Sequence, residues 1–183
     1  ITVSLNNEHN EHTRQDKLSV LQQLTDDSVK ELRSVSHNMM PNALLKLGLS
    51  SAIREFIDKI SSSGLLKVNL EVVGLNEKLD KTTEIVLYRV IQELVNNIIK
   101  HARADKLDIQ IINHDNSDLN IMVEDNGIGF DTTKKDTFEG IGLKNIVSRI
   151  EYLNGTVAFD STPGKGTTVI IDIPLSPQID TIV

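Results

Sequence analysis

Three polar side chains of different kinds follow one another along a predicted helix: Glu93, Asn97 and Lys100, spaced by four and three residues, with Asn96 beside them. Side chains at these spacings project from one face of an α-helix. Carboxylate and amide oxygens suit Mg²⁺, which bridges to substrate phosphates, and Lys100 or His101 could neutralise phosphate charge. The alternative is a solvated helix face that holds no ligand.

A single carboxylate stands at the end of a predicted strand, where Asp125 comes just after Val123 and directly before Asn126-Gly127. A carboxylate in this position can accept a hydrogen bond from an exocyclic amine such as that of adenine. The alternative is a turn-forming Asp-Asn-Gly whose side chain bonds to its own backbone. Together with the helix face, Asp125 favours a nucleotide site.

Six of the ten glycines form three Gly-x-Gly pairs at the junctions between predicted elements. The pairs are Gly127 with Gly129, Gly140 with Gly142, and Gly164 with Gly166. Glycine lets the backbone approach a ligand closely, and a helix N-terminus offers amide donors to an anion. Each pair alone is also explained by turn chemistry, but three spaced pairs favour a nucleotide cradle.

Two common phosphate-binding motifs are excluded. A P-loop needs Ser or Thr after Gly-Lys, whereas Gly166 follows Lys165. A dinucleotide fingerprint beginning at Gly140 would need glycine or alanine at position 145, which is Asn145. The nucleotide must therefore be held by a different geometry.

The elements that position these residues follow from hydrophobic periodicity. Five segments alternate with the period of two of half-buried strands: Val68-Leu70-Val72, Leu107-Ile109-Ile111, Leu119-Ile121-Val123, Val157-Phe159 and Val169-Ile171-Ile173. Helical spacing marks about residues 50–62, 82–101 and 143–153, the last closed by Asn154-Gly155, and a further helix from Leu18 to Met39 that Pro41 ends. Because the strands keep a polar face, we predict an α+β two-layer sandwich whose sheet of about five strands is mixed or antiparallel, with helices on one face and an N-terminal helix in front. The mixed sheet is the choice that the resemblance described below implies.

Composition narrows the function classes. With 19 basic and 26 acidic residues the 183-residue chain carries a net charge of −7, which argues against nucleic acid or a membrane surface as partner. No apolar run approaches the roughly 20 residues needed to span a bilayer. The absence of cysteine excludes disulfides and thiolate chemistry and suits a reducing, cytoplasmic compartment. Since the sequence opens with Ile1, we expect a piece of a longer protein, whose other segments could anchor it in a membrane.

Four segments, taken together, resemble the N, G1, G2 and G3 boxes of sensor histidine kinases, in the same order and with similar spacing. They are residues Gln92 to Ala102, Asp125 to Phe130, Gly140 to Leu143, and Gly164 to Thr167. The resemblance covers about residues 65 to 175. It implies the Bergerat ATP-binding fold shared with gyrase, Hsp90 and MutL ATPases, with ATP and Mg²⁺ as cofactors.

The resemblance also implies a role for each matching residue. Asp125 would pair with the adenine amino group, Asn97 would ligate Mg²⁺, and Glu93 would assist at the metal or activate the attacking imidazole. Lys100 would approach the phosphates, with His101 in the same nucleotide site. The remaining residues would shape the pocket, hinge its lid or close its back: Gly127, Gly129, Gly140, Gly142, Leu143, Gly166 and Thr167. The chemistry would be phosphoryl transfer from ATP to a histidine nitrogen.

The N-terminal part, Val29 to Ala52, resembles the second dimerisation helix and linker of the kinase subfamily typified by nitrate and membrane-fluidity sensors. This implies a partial dimerisation region at residues 1–45, a catalytic domain at 46–183, a homodimer and a response regulator as partner. The subfamily's phosphoacceptor is a histidine followed by Asp, and the one such pair here, His114-Asp115, falls in a polar turn. We therefore expect the acceptor upstream of this chain and a helix-end or interface role for His37.

Two rival functions stay open. One is a serine kinase of the anti-sigma type or another ATPase of the same fold, against which the helical segment before Gly48 argues. The other is a nucleotide-independent scaffold, against which the intact Asp125, Asn97 and glycine pairs argue.

Overall fold

The computed structural model describes residues 42–64, 66–75, 79–115, 117–133 and 141–175. The predicted helix from Leu18 to Met39, His37 and Gly140 lie outside the described residues. The division of the chain at residue 45 stays a prediction.

Helices and strands alternate through the described residues. Two helices come first, α1 at Asn42–Leu47 and α2 at Leu49–Ser62. In chain order there follow β1 (Lys67–Val73), α3 (Lys81–Asn97), a π-helical turn (Ile98–Ala102), β2 (Lys106–His114), β3 (Asp118–Asp125), α4 (Ile141–Tyr152), β4 (Thr156–Ser161) and β5 (Thr167–Pro174).

The helix ends have identifiable caps. Asp80 begins α3 by accepting a hydrogen bond from the Thr83 N–H at 3.0 Å. Glu84, one turn into α3 and buried, accepts a hydrogen bond from the Leu49 N–H at 3.1 Å and so caps α2 from a neighbouring helix. Beyond α4 the chain turns at Asn154 with φ of 55°, the left-handed conformation predicted for Asn154-Gly155.

The five strands form one sheet in the order β1-β2-β3-β5-β4. Strands β1 and β2, which are connected through α3, run parallel, and every other neighbouring pair is antiparallel. A parallel pair needs a crossover, and α3 supplies it. The mixed sheet and its five predicted strands are therefore confirmed.

The helices pack on one face of this sheet. The core consists of side chains that are almost fully buried, among them Leu87, Ile91, Ile109, Ile121, Ile146, Ile150 and Ile171. Each contributes about 1.5–3 kcal/mol on burial. The other face carries cross-strand polar pairs such as Gln110 with Glu71 and Asn120 with Asp172. The alternation of apolar and polar residues along the strands therefore predicted correctly which face the helices cover.

Two local features depart from the sequence prediction. The helix expected to reach residue 101 is α-helical only to Asn97, because the next five residues form the π-helical turn. The short helix α1 was not predicted, and its Leu44 is buried. None of the helices in the described part of the chain is both long enough and apolar enough to cross a bilayer.

Candidate functional site

A cavity of about 500 Å³ opens where the end of α3, the start of α4 and the ends of β3 and β5 meet. This volume lies within the range of small-molecule sites. Its lining residues come from these four elements, the π-helical turn, β4 and the segment after β3: Leu94, Asn97, Ile98, His101, Ala102, Val123, Asp125, Ile128, Gly129, Phe130, Gly142, Leu143, Phe159, Thr167 and Val169. Most are apolar, so the few polar groups must decide which ligand atoms fit.

Asp125 ends β3 and places its carboxylate in the cavity wall. Its Oδ1 accepts a hydrogen bond from the Gly127 N–H at 2.8 Å, which is the turn that the sequence offered as an alternative. Among the described residues this is the carboxylate's only hydrogen bond, so Oδ2 can accept one from a ligand. Burial raises the pKa of Asp125, Glu124 adds to the increase, and the Gly127 N–H opposes it.

The segment after Asp125 is fixed against the end of the π-helical turn. The Ile128 N–H donates to the Ala102 carbonyl at 2.8 Å, and the Asn126 side chain accepts from the Asp105 and Lys106 amides at 3.1 and 3.0 Å. A Cβ on Gly127 would collide with the Ala102 carbonyl. Gly127 therefore supports the cavity by close backbone contact and does not line it.

A buried serine on β4 forms hydrogen bonds with the segment after Asp125 and with the start of β5. The Ser161 Oγ accepts from the Phe130 N–H at 2.9 Å, donates to the Gly166 carbonyl at 3.0 Å and lies 2.9 Å from the Thr167 Oγ1. Gly166 has φ of 82°, and a Cβ there would collide with the Asp125 carbonyl. Gly166 also stands behind the wall, while Thr167 and Gly129 line it.

The polar end of the cavity lies between α3 and the first turn of α4. A Cβ built on Gly142 would stand 2.8 Å from Glu93 Oε1 and 3.3 Å from Asn97 Nδ2, so both side chains end beside this glycine. A carboxylate and an amide oxygen brought together suit a hard divalent cation that takes its other ligands from water and phosphate. No group of three or more carboxylate or imidazole side chains arranged to hold a metal occurs among the residues that the structure describes.

One of the two basic residues in the π-helical turn reaches the cavity. His101, four residues after Asn97, lines the wall. Lys100 is exposed and does not line the cavity. The expectation that Glu93, Asn97 and Lys100 share one face therefore holds only for the first two.

The structure thus brings together most of the residues predicted for the site. Those that line the cavity are Asn97, His101, Asp125, Gly129, Gly142, Leu143 and Thr167. Glu93, Gly127 and Gly166 adjoin it, Lys100 lies apart from the wall, and Gly140 falls outside the described residues. Sequence reasoning missed Ser161 and the apolar wall, notably Phe130 and Phe159. Phe159 and Val169 gave only the signal of ordinary core strands.

Comparison with known proteins gives consistent matches. The family profile described as histidine kinase-, DNA gyrase B-, and HSP90-like ATPase matches residues 82–177. Signal transduction histidine-protein kinase/phosphatase DegS of Brevibacillus brevis is 30% identical over 159 residues, which are 86% of this chain and 40% of that protein. Oxygen sensor histidine kinase NreB of Staphylococcus carnosus is 31% identical over 148 residues, 81% of this chain and 42% of that protein. The chain therefore spans about two fifths of the length of these curated relatives.

Solved structures agree on the fold. The histidine kinase domain from Erythrobacter litoralis EL346 blue-light activated histidine kinase matches with a TM-score of 0.57 and 25% identity, over 70% of this chain and 61% of that one. Acinetobacter baumannii histidine kinase AdeS matches with a TM-score of 0.54 and 21% identity, over 88% of this chain and 81% of that one.

Proposed function

Because the chain belongs to the histidine kinase-, DNA gyrase B-, and HSP90-like ATPase family, we propose that it is the ATP-binding catalytic part of a sensor histidine kinase. The observation that carries this proposal is that Asp125 and Asn97, from a strand and a helix far apart in sequence, line one cavity. An ATP site of this kind needs a carboxylate that accepts a hydrogen bond from the base and an amide that binds the metal beside the phosphates.

The base of ATP would lie between the apolar walls, with its exocyclic amine on Asp125. The carboxylate suits this role because its Oδ1 is held by the Gly127 amide, while Oδ2 remains for the ligand. A buried acceptor left without a donor is costly, so a base with a donor at this position is favoured over one without. The apolar wall, including Phe130 and Phe159, would bury the flat faces of the base.

The phosphates would lie toward α4 and the end of α3. Asn97 and Glu93 would hold Mg²⁺ there, since their donor atoms end side by side next to Gly142. When bound, Mg²⁺ would neutralise charge on the phosphates. His101, at the wall, is the basic residue placed to approach the triphosphate, and exposed Lys100 would assist from outside the wall.

Phosphoryl transfer relies mainly on position and charge neutralisation. The bond from the γ-phosphorus to the bridging oxygen would break, a phosphorus–nitrogen bond to an imidazole would form, ADP would leave, and the imidazole proton would pass to Glu93. The acceptor would be a histidine outside residues 1–183. A homodimer formed through the N-terminal helix, a response regulator as the next acceptor and a cytoplasmic location complete the proposal.

Calorimetry with ATP and Mg²⁺ tests the site directly. We expect the chain to bind ATP and Asp125→Asn to lose at least about tenfold in affinity, the scale of a buried charged hydrogen bond. The matched control is Asp160→Asn, an exposed aspartate on β4 outside the cavity wall, which should bind as the parent does.

Transfer of γ-labelled phosphate tests the reaction. A version that includes residues upstream of Ile1 should acquire label that is labile in acid and stable in base, as phosphohistidine is, and Asp125→Asn in that version should abolish it. Acid-stable label on serine would favour the serine kinase, and absence of ATP binding would favour the scaffold. Acid-labile label on His37 would contradict the assignment of the acceptor.

A further inference from the structure

Three polar side chains stand next to one another at one end of the mainly apolar inner face of the sheet. Asp125 on β3 is the register partner of Thr167 on β5, and Thr167 is the register partner of Ser161 on β4. Side chains paired directly across antiparallel strands lie close enough to contact each other. The next row toward the core consists of Val123, Val169 and Phe159, so this polar row lies at the cavity end of the sheet.

The hydrogen bonds of Ser161 determine where its single proton goes. A serine hydroxyl donates once and accepts twice. Gly166 is buried, and among the described residues the only hydrogen bond to its carbonyl comes from Ser161, at 3.0 Å. Buried carbonyls are satisfied in nearly all native structures. The Ser161 proton is therefore assigned to Gly166, which leaves its oxygen to accept from others.

Two donors fill the remaining capacity of Ser161. One is the Phe130 N–H at 2.9 Å. The other must be the Thr167 hydroxyl, whose Oγ1 lies 2.9 Å from the Ser161 Oγ and cannot receive a proton already given to Gly166. With its proton directed at Ser161, Thr167 presents only lone pairs to the cavity that it lines.

We propose that Ser161 is a positioning residue for base specificity: it fixes Thr167 as an acceptor, so that Thr167 and Asp125 together select a purine that carries an exocyclic amine. This rests on the proposed function, because it specifies which nucleoside triphosphate the same cavity takes. A 6-oxo purine offers a carbonyl where adenine offers an amine, and a carbonyl there would meet two neighbouring acceptors with no donor between them.

The experiment compares binding of ATP and inosine triphosphate, which differ in having an amine or a carbonyl oxygen on the base. The parent chain should prefer ATP. In Ser161→Ala the Thr167 hydroxyl loses its acceptor, turns toward the cavity and can donate to the inosine carbonyl, so the preference for ATP should fall by about tenfold, the scale of one buried polar mismatch. Ser161→Thr, which keeps the hydroxyl, should restore the preference.

A second variant keeps the test independent of how well Ser161→Ala folds. Thr167→Val removes the acceptor and keeps the shape, so it should lower the preference by a similar factor, and the double variant should lower it no further. Thr168→Val, one residue along β5 with its side chain on the opposite face, is the matched control and should leave the preference unchanged.

The outcomes separate the inference from the proposed function. If the parent binds neither nucleotide, the proposed function fails. If the parent binds ATP but also binds inosine triphosphate equally well, or if Ser161→Ala and Thr167→Val weaken both nucleotides by the same factor, Ser161 is only structural and the inference is overturned while ATP binding stands.

Discussion

At the scale of single residues, Asp125 supplies the acceptor that the site needs but lowers the stability of the folded chain. The residue is 5% exposed and its carboxylate has one backbone donor, so the ionised form is poorly solvated in the folded chain. Burial raises its pKa above the ordinary value of 3.8. Ionised Asp125 therefore destabilises the folded chain at neutral pH, although the same carboxylate gives the cavity its acceptor.

Asp125→Asn should therefore raise stability at pH 7 while abolishing tight ATP binding. The sign follows from the raised pKa: the wild-type gains stability as the pH falls through the folded pKa toward 3.8, whereas asparagine does not titrate. The advantage of the variant should be largest at neutral pH and disappear near pH 4. Urea unfolding at both pH values measures it, and Asp160→Asn is the exposed control. A variant less stable than the wild-type at pH 7 would contradict the cost assigned to this carboxylate.

The site residue at the end of β3 could be predicted from sequence, whereas Ser161, which holds its neighbours in place by hydrogen bonds, could not. Asp125 stands out because a carboxylate directly after an apolar strand and beside a Gly-x-Gly pair suits a ligand site as well as the turn that it also forms. Ser161 gave no such signal, since serine before a turn is common. Its importance arises from β4 lying next to β5, a pairing that no local spacing reveals.

At the scale of elements, two glycines with similar sequence contexts have different reasons to lack a side chain. Gly166 has positive φ and its Cα faces the Asp125 carbonyl, so a Cβ would have to displace backbone. Gly142 lies in the first turn of α4, and a Cβ there would meet only the ends of the Glu93 and Asn97 side chains. Gly166 therefore serves the fold, and Gly142 leaves room for the polar end of the cavity.

Replacing each glycine by alanine should separate these roles. Gly166→Ala should lose about 2–3 kcal/mol of unfolding free energy from strain and collision. Gly142→Ala should change stability by less than about 1 kcal/mol, because a helical position favours alanine and flexible side chains can move. It should nevertheless weaken Mg²⁺-dependent ATP binding by displacing Glu93 and Asn97. Urea unfolding and calorimetry with and without Mg²⁺ measure both effects. Equal loss of stability in the two variants would refute the distinction.

Helical periodicity predicted the start of α3 well and its end poorly, since the α-helix runs from Lys81 to Asn97 and not to residue 101. The apolar spacing continues to Ile98, so the sequence gives no sign that the next turn widens. Packing of the Ala102 carbonyl against the Ile128 amide, a contact between elements, accompanies the change. Both Lys100 and His101 were predicted for the nucleotide site, and spacing alone did not distinguish His101, which lines the wall, from Lys100, which does not.

At the scale of the whole molecule, alternation along five strands was enough to predict a sheet covered on one side. Each strand carries its own signal, because alternate residues are mostly apolar and less exposed than their neighbours: they are largely buried in β2, β3 and β5 and largely half-buried in β1 and β4. The cavity has no comparable signal, since its wall is made of the same apolar residue types as the core. It lies between the end of α3, the start of α4 and the sheet, where Asn97 and Asp125 are among the few polar residues of its wall.

ATP binding should consequently stabilise the folded chain as a unit. The cavity joins α3, α4, β3 and β5, so a ligand in it binds only the assembled state. At one hundred times its dissociation constant a ligand adds about 2.7 kcal/mol, which raises the unfolding midpoint of a domain of this size by about 5–10 °C. Thermal unfolding followed by far-ultraviolet circular dichroism, with ATP and Mg²⁺, should show this shift for the wild-type and Asp160→Asn and at most about half of it for Asp125→Asn, because a tenfold weaker ligand adds only about 1.4 kcal/mol at the same concentration. A shift of the same size in Asp125→Asn would place the nucleotide elsewhere on the molecule, because the carboxylate that receives the base would then contribute nothing to the stabilisation.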